Sequence, residues 1–176
     1  MKIRKNEGFT LIELLIVVAI IGIIAAIAVP GLMRARMSGN EASAIGSLRA
    51  INSSQSTFAS SCAGGNYAQS LEDLALKPPT GTDGFISADL ATSHVTKSGY
   101  YVDMAPGAGN VVATVAACNT AMPGSTYFAA AEPVTPGSTG GRAFATNQAG
   151  TIWQDASGTA LTAIPATPSG TINVIQ

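Results

Sequence analysis

The apolar pattern of the chain has two regimes. From Phe9 to Val29 it is unbroken: 21 residues with Glu13 as the only charge, ended by Pro30. At about 1.5 Å per residue such a helix reaches roughly 31 Å, enough to cross a bilayer core. It is apolar on all sides, which predicts a helix covered by lipid or by other helices. Beyond Pro30 the pattern becomes amphipathic. Ala44, Leu48, Ile51 and Phe58 recur at helical spacing with Ile45 beside them, and Arg34, Arg36, Glu41, Arg49 and Asn52 read as solvated faces. The helix is expected to run to about Ser60 or Ser61 and to stop at Gly64-Gly65. Its second half is then a spine on which a head must pack.

After the helix the period shortens. Ser70-Leu71-Glu72-Asp73 approximates a capping box, predicting a short helix from Ser70 to Leu76 that Pro78 and Pro79 stop. Thr80 to Ser98 reads as loop. Tyr100–Met104, Val111–Ala117, Thr126–Ala131, Ala143–Thr146 and Thr151–Gln154 read as short strands, with hairpin loops at Pro106–Asn110 and Asn147–Gly150. A four- or five-stranded antiparallel sheet covering the Ala44–Phe58 stripe is the expected head, so the fold class is α+β. The tail from Ala156 to Gln176, rich in Pro, Thr, Ser and Gly, reads as a weakly ordered surface segment.

Composition narrows the function classes. Charged residues are 11% of the 176 and the net charge is −1, with Lys77, Lys97 and Arg142 the only basic residues after Ala50. Nucleic acid is not expected as a partner. Cys62 and Cys118 both lie beyond the apolar run, and an even count in a translocated domain predicts one disulfide between them. His94 is the lone histidine, in a polar loop, and Asp83, Asp89 and Asp103 are too scattered to form a calcium loop by spacing. No nucleophile–base arrangement or phosphate-binding loop is readable. The expectation is a non-enzyme with no catalytic residue, no metal site and no cofactor.

The start of the chain carries the sharpest signal. Lys2, Arg4 and Lys5 precede the apolar run, which holds that end in the cytoplasm. The run has no small-residue cleavage site after it, and the small residue before it is Gly8. This segment, Gly8-Phe9-Thr10-Leu11-Ile12-Glu13 after a short basic leader, followed by Gly22 and Pro30, resembles the processing site and first helix of type IV prepilins and the related type II secretion pseudopilins. The resemblance covers about the first 35 residues strongly. It implies a type IV pilin-like fold. It also implies cleavage between Gly8 and Phe9 by a prepilin peptidase that also methylates the new amino group of Phe9. Residues 1–8 would be a leader, 9–30 a transmembrane and polymerisation helix, 31–61 an amphipathic spine, and 62–176 the head with its tail. Removal of the leader leaves six Lys/Arg and nine Asp/Glu.

Glu13 is the residue expected to carry assembly. A carboxylate in the bilayer costs about 2.5–3.5 kcal/mol on insertion scales. No residue from Leu14 to Val29 can pair with it, so its expected partner is the Phe9 amine of a neighbouring subunit. Gly22 and Pro30 weaken the helix between them, and that stretch is expected to soften in a filament. The expected function is a pilin that forms a homopolymeric filament. Its partners would be the peptidase, an inner-membrane assembly platform and, before assembly, the lipid bilayer. The precursor would sit in the inner membrane and the product in an extracellular pilus. Two alternatives stand beside this: a pseudopilin in a periplasmic filament, and a minor tip pilin with a binding head. Both cysteines of better-known pilins bracket a C-terminal loop, whereas Cys62 lies at the helix end.

Overall fold

The computed structural model describes residues 9–175. Residues 1–8, including the expected cleavage residue Gly8, and Gln176 lie outside the described residues. The chain divides into two compact units, Met1–Arg36 and Met37–Gln176. One helix, α1 (Leu11–Ser61), supplies the whole of the first unit's described secondary structure and the opening of the second, and Pro30 lies inside it without ending it. Two features end it at Ser61. The left-handed Gly64 and Gly65 (φ 57° and 91°) reverse the chain, and the N–H groups of Ala63 and Gly65 return to the carbonyls of Phe58 and Ala59.

In the second unit α1 buries Ala44, Leu48, Ile51 and Phe58, the stripe expected from periodicity. Gln55 lies on the same stripe and is fully buried although polar. Its amide replaces a backbone partner: Nε2 donates to the Ala68 carbonyl at 2.8 Å and Oε1 accepts from the Ala68 N–H at 2.9 Å. The chain then forms α2 (Leu71–Ala75), capped by the Ser70 hydroxyl, which accepts from the Asp73 N–H. A 3-10 turn at Ala88–Leu90 follows.

Six strands follow among the described residues: β1 (Val95–Lys97), β2 (Tyr100–Pro106), β3 (Tyr127–Pro133), β4 (Ala143–Asn147), β5 (Trp153–Asp155) and β6 (Ile172–Val174). They form one antiparallel sheet in sequence order. The α+β class is as expected, and the strand count and bounds are not. Cross-strand rows Val102–Ala131–Phe144 and Met104–Ala129–Thr146 make the inner face against α1, with small alanines at the centre of each row. The outer face also buries Ala143, Ala145 and Trp153.

Three readings of the sequence need correction. Val111–Ala117 is not a sheet strand. It belongs to the 20-residue excursion from Gly107 to Thr126 that joins β2 to β3. Its Val111–Ala113 segment bonds only to residues 123–125, where Pro123 lacks an N–H and Gly124 is engaged in both directions by the backbone of Tyr67. The supposed loop Thr80–Ser98 contains β1, folded back by a two-residue turn in which Ser98 and Gly99 both take positive φ (48° and 72°). The tail contributes β6, which pairs with β5.

The disulfide joins Cys62, just past α1, to Cys118 in the excursion, and the Cys118 N–H also bonds the Cys62 carbonyl at 3.0 Å. Closing a loop of this length stabilises by about 4 kcal/mol on the chain-entropy estimate.

Two carboxylates tie the segment before β1 to its surroundings. For Glu72, burial works to raise the carboxyl, but the hydroxyl and backbone N–H of Ser93 outweigh it and hold the group below its usual range. The Lys97 ammonium, followed by the Ser87 hydroxyl, does the same for Asp89. Folded-state values are therefore lower than unfolded ones. The stabilisation is present above the ordinary carboxylate range and is lost as pH falls through the folded values. Thermal melts followed by circular dichroism should show the head weakening below about pH 4. The Glu72→Gln variant should lose stability at neutral pH and show a flatter acid limb.

Candidate functional site

The site is the beginning of α1. Residues 9–36 are exposed throughout, including every large apolar side chain from Leu11 to Met33. The helix is long and apolar enough to cross a membrane. An apolar surface exposed on all sides of a helix has to be covered by something other than water.

Thr10 is the residue before the first helical position, and Glu13 is the third residue of the helix. The two form a reciprocal cap. The Thr10 N–H donates to Glu13 Oε2 at 2.9 Å, the Thr10 hydroxyl donates to the same oxygen at 2.6 Å, and the Glu13 N–H reaches the Thr10 oxygen at 3.3 Å. This corrects the expectation that Glu13 has no partner within its own helix. The residues from Leu14 to Val29 offer Glu13 no partner, whereas Thr10 lies three residues upstream of it. Its signal was in the sequence as Thr-Leu-Ile-Glu, the spacing of a capping box.

The cap engages one carboxylate oxygen. Glu13 Oε1 accepts no hydrogen bond from the described residues. An ionised carboxylate has about four lone-pair positions, so Glu13 can keep its cap and still take a cation. No hydrogen bond joins Phe9 to Glu13 within the chain, and Phe9 is 81% exposed. In the uncleaved chain Phe9 nitrogen is an amide and carries no charge, so an ion pair with Glu13 requires the bond after Gly8 to be broken first.

Gly22 sits inside α1 with nothing within 4 Å of the position its Cβ would take. No contact within the chain calls for glycine there. Pro30 likewise lies in continuous helix. The structure leaves both sites without an intramolecular role.

In the head, two residues read as solvated turn out to be docking groups. The Glu41 side chain is only 12% exposed and takes the Arg142 guanidinium at 2.7 and 3.0 Å and the Gly141 N–H at 2.9 Å. Asn52 donates to Thr146 Oγ1 and the Gly150 carbonyl and accepts from the Tyr127 hydroxyl at 2.9 Å. Their partners lie some 75–101 residues away in sequence, so periodicity could not reveal them. His94 stacks on Tyr101, with ring centroids 4.3 Å apart, and lies 3.3 Å from Asp103. Among the described residues no three His, Cys, Asp or Glu side chains cluster as a metal site would require.

Comparison with known proteins points to the same end of the chain. Residues 3–29 match the prokaryotic N-terminal methylation motif. The chain is 48% identical over 54 residues to the type IV major pilin protein PilA of Myxococcus xanthus, covering 31% of this chain and 24% of that protein. It is 58% identical over 38 residues to the type IV wide pilus major component PilA4 of Thermus thermophilus, covering 22% of this chain and 29% of that protein. The matched region thus spans about a quarter of the length of these curated relatives. No solved structure matches the chain.

Gly22→Ala tests what the empty space around Gly22 means. The isolated subunit should accept the extra methyl and gain roughly 1 kcal/mol of helix stability, seen as slower amide exchange in α1 in micelles. A requirement for glycine in close helix packing would appear only as a loss of assembled product.

Proposed function

We propose that this chain, which carries the N-terminal methylation segment of the type IV pilin family, is a structural subunit of a type IV pilus-like filament and polymerises through α1. One observation carries the reading: an apolar helix exposed on every side, with a single carboxylate near its start that retains an unused oxygen. A bilayer covers the apolar surface but leaves Glu13 at a cost of about 2.5–3.5 kcal/mol. The same helix on neighbouring copies covers the apolar surface and also supplies a cation.

The match to the N-terminal methylation motif and the free oxygen of Glu13 support the following sequence of steps. A membrane peptidase cleaves between Gly8 and Phe9 and methylates the new amine. The Phe9 amine of one subunit then pairs with Glu13 Oε1 of the next, while Thr10 continues to hold Oε2. Two charges that would each be unfavourable in an apolar environment offset one another, and the pairing fixes the axial register of the incoming copy. An inner-membrane platform extracts subunits from the lipid, and the filament grows outside the cell. The stretch from Gly22 to Pro30 is the segment most able to lose helix as subunits are packed. One relative is a type IV major pilin by name and the other a type IV wide pilus major component, which favours a pilus over a periplasmic secretion filament.

Glu13→Val should leave processing and membrane insertion intact and abolish filaments, as judged by cell fractionation and by electron microscopy of sheared surface material. Normal filaments from this variant would overturn the reading. Mass spectrometry of the mature protein should find an N-methylated Phe9 at its start, and an intact Met1 would contradict the processing step.

A further inference from the structure

The head contains a cleft that the assembly reading does not use. It measures about 560 Å³ and opens between the last turns of α1, the reversal at Gly64–Gly65 and the β4–β5 turn, a size ordinary for a small-molecule site. We propose that this cleft is a binding site for a neutral saccharide, seated on Tyr67 and hydrogen-bonded by Ser56 and Gln148.

The floor of the cleft is rigid. Asn52 is held by Thr146, Gly150 and the Tyr127 hydroxyl. Tyr67 rests against Tyr127 with ring centroids 5.2 Å apart and planes inclined at 55°. The rim is unsatisfied by comparison. Ser56, Tyr67 and Gln148 all line the cleft, and none of their side-chain polar atoms bonds to another described residue. Ser60 gives its hydroxyl proton to the Thr57 carbonyl and so retains an acceptor. Gly64 and Gly65 have nothing within 4 Å of a Cβ position, which leaves their backbone open to an occupant.

The chemistry of the lining selects the ligand class. Its residues carry no Lys, Arg, His, Asp or Glu, so neither a phosphate nor a carboxylate nor an ammonium finds a counter-charge. Burial, with Tyr67 as a lesser influence, raises the Tyr127 hydroxyl above its ordinary range, and it stays neutral. A wholly apolar ligand would strip water from Ser56 and Gln148 without replacing their hydrogen bonds. A pyranose meets each requirement. Its C–H face packs on an aromatic ring, and its hydroxyls serve as both donors and acceptors for a primary amide and serine hydroxyls. The inference is independent of filament assembly, because it concerns only residues 52–150 and is tested on unassembled protein.

The test uses the full chain in dodecylphosphocholine micelles, which contain no sugar headgroup, titrated with maltohexaose, cellohexaose and chitohexaose. Saturation-transfer NMR should detect at least one hexaose at about 10 mM, a concentration that fills a site of millimolar Kd. Gln148→Ala changes an exposed turn residue and should weaken that binding about tenfold, equivalent to one good hydrogen bond. Tyr67→Ala should abolish it, with retained circular dichroism showing that the head still folds. Absence of binding by all three sugars, or binding unchanged in both variants, would overturn the proposal.

Discussion

Everything at the start of this protein is governed by one solvation problem. Residues 9–36 expose an apolar helix with nothing over it, and water is the one environment in which that surface is not stable. Lipid and a bundle of like helices both solve the apolar part of the problem, and they are close to equivalent for leucine and isoleucine side chains. They differ at Glu13. Lipid offers a carboxylate no counter-charge, whereas in the proposed filament another copy would offer a cleaved N-terminus. In the proposed filament a single polar residue would therefore decide between two otherwise similar surroundings.

The second half of the same helix solves a different problem with different residues. Here the cover is the chain's own sheet. The stripe Ala44, Leu48, Ile51 and Phe58 supplies the apolar contact, and alanines at the middle of β3 present small side chains on the inner face. Apolar contact alone does not select one rotation of the helix. The polar residues do: Gln55 reads the peptide of Ala68, Asn52 reads Thr146 and Gly150, and Glu41 holds Arg142 and Gly141. Each group leaves water only when its partner is in place, so a misrotated helix would bury them unsatisfied.

What was legible in the sequence follows the range of the interactions concerned. The helix, its end at the paired glycines, the short α2 and the buried stripe depend on neighbours a few residues apart, and all were readable. So was the pairing of two cysteines in a chain with only two. The excursion was misread because Val111-Val112-Ala113-Thr114-Val115 has strand propensity, whereas its position is fixed by Cys62, Tyr67 and Pro123. Strands of three residues such as β1 and β6 carry too little pattern to register, although Ser98-Gly99 was an available turn signal. At the candidate site, Glu13 was found by its charge while its partner Thr10 was passed over. Thr10 had already been read as part of a processing motif, and one residue can belong to a cleavage site and a helix cap together.

That double membership has a physical consequence for the order of events. Before cleavage the Thr10–Glu13 cap closes the first turn of the helix, with Oε2 occupied and no positive charge at Phe9. The proposed cleavage would create an ammonium at the end of the helix where the backbone dipole is already positive, an unfavourable placement worth several tenths of a kcal/mol or more. Within one chain Oε2 is already shared by two Thr10 donors, so Oε1 is the oxygen left open to an amine. In the proposed filament a neighbour's Glu13 would keep its Thr10 cap on Oε2 and accept the amine at Oε1. The cap and the proposed intermolecular ion pair are thus compatible, because each uses a different oxygen of the carboxylate. By this reasoning Thr10 would contribute to the proposed assembly by holding one oxygen of Glu13 and leaving the other for the incoming charge.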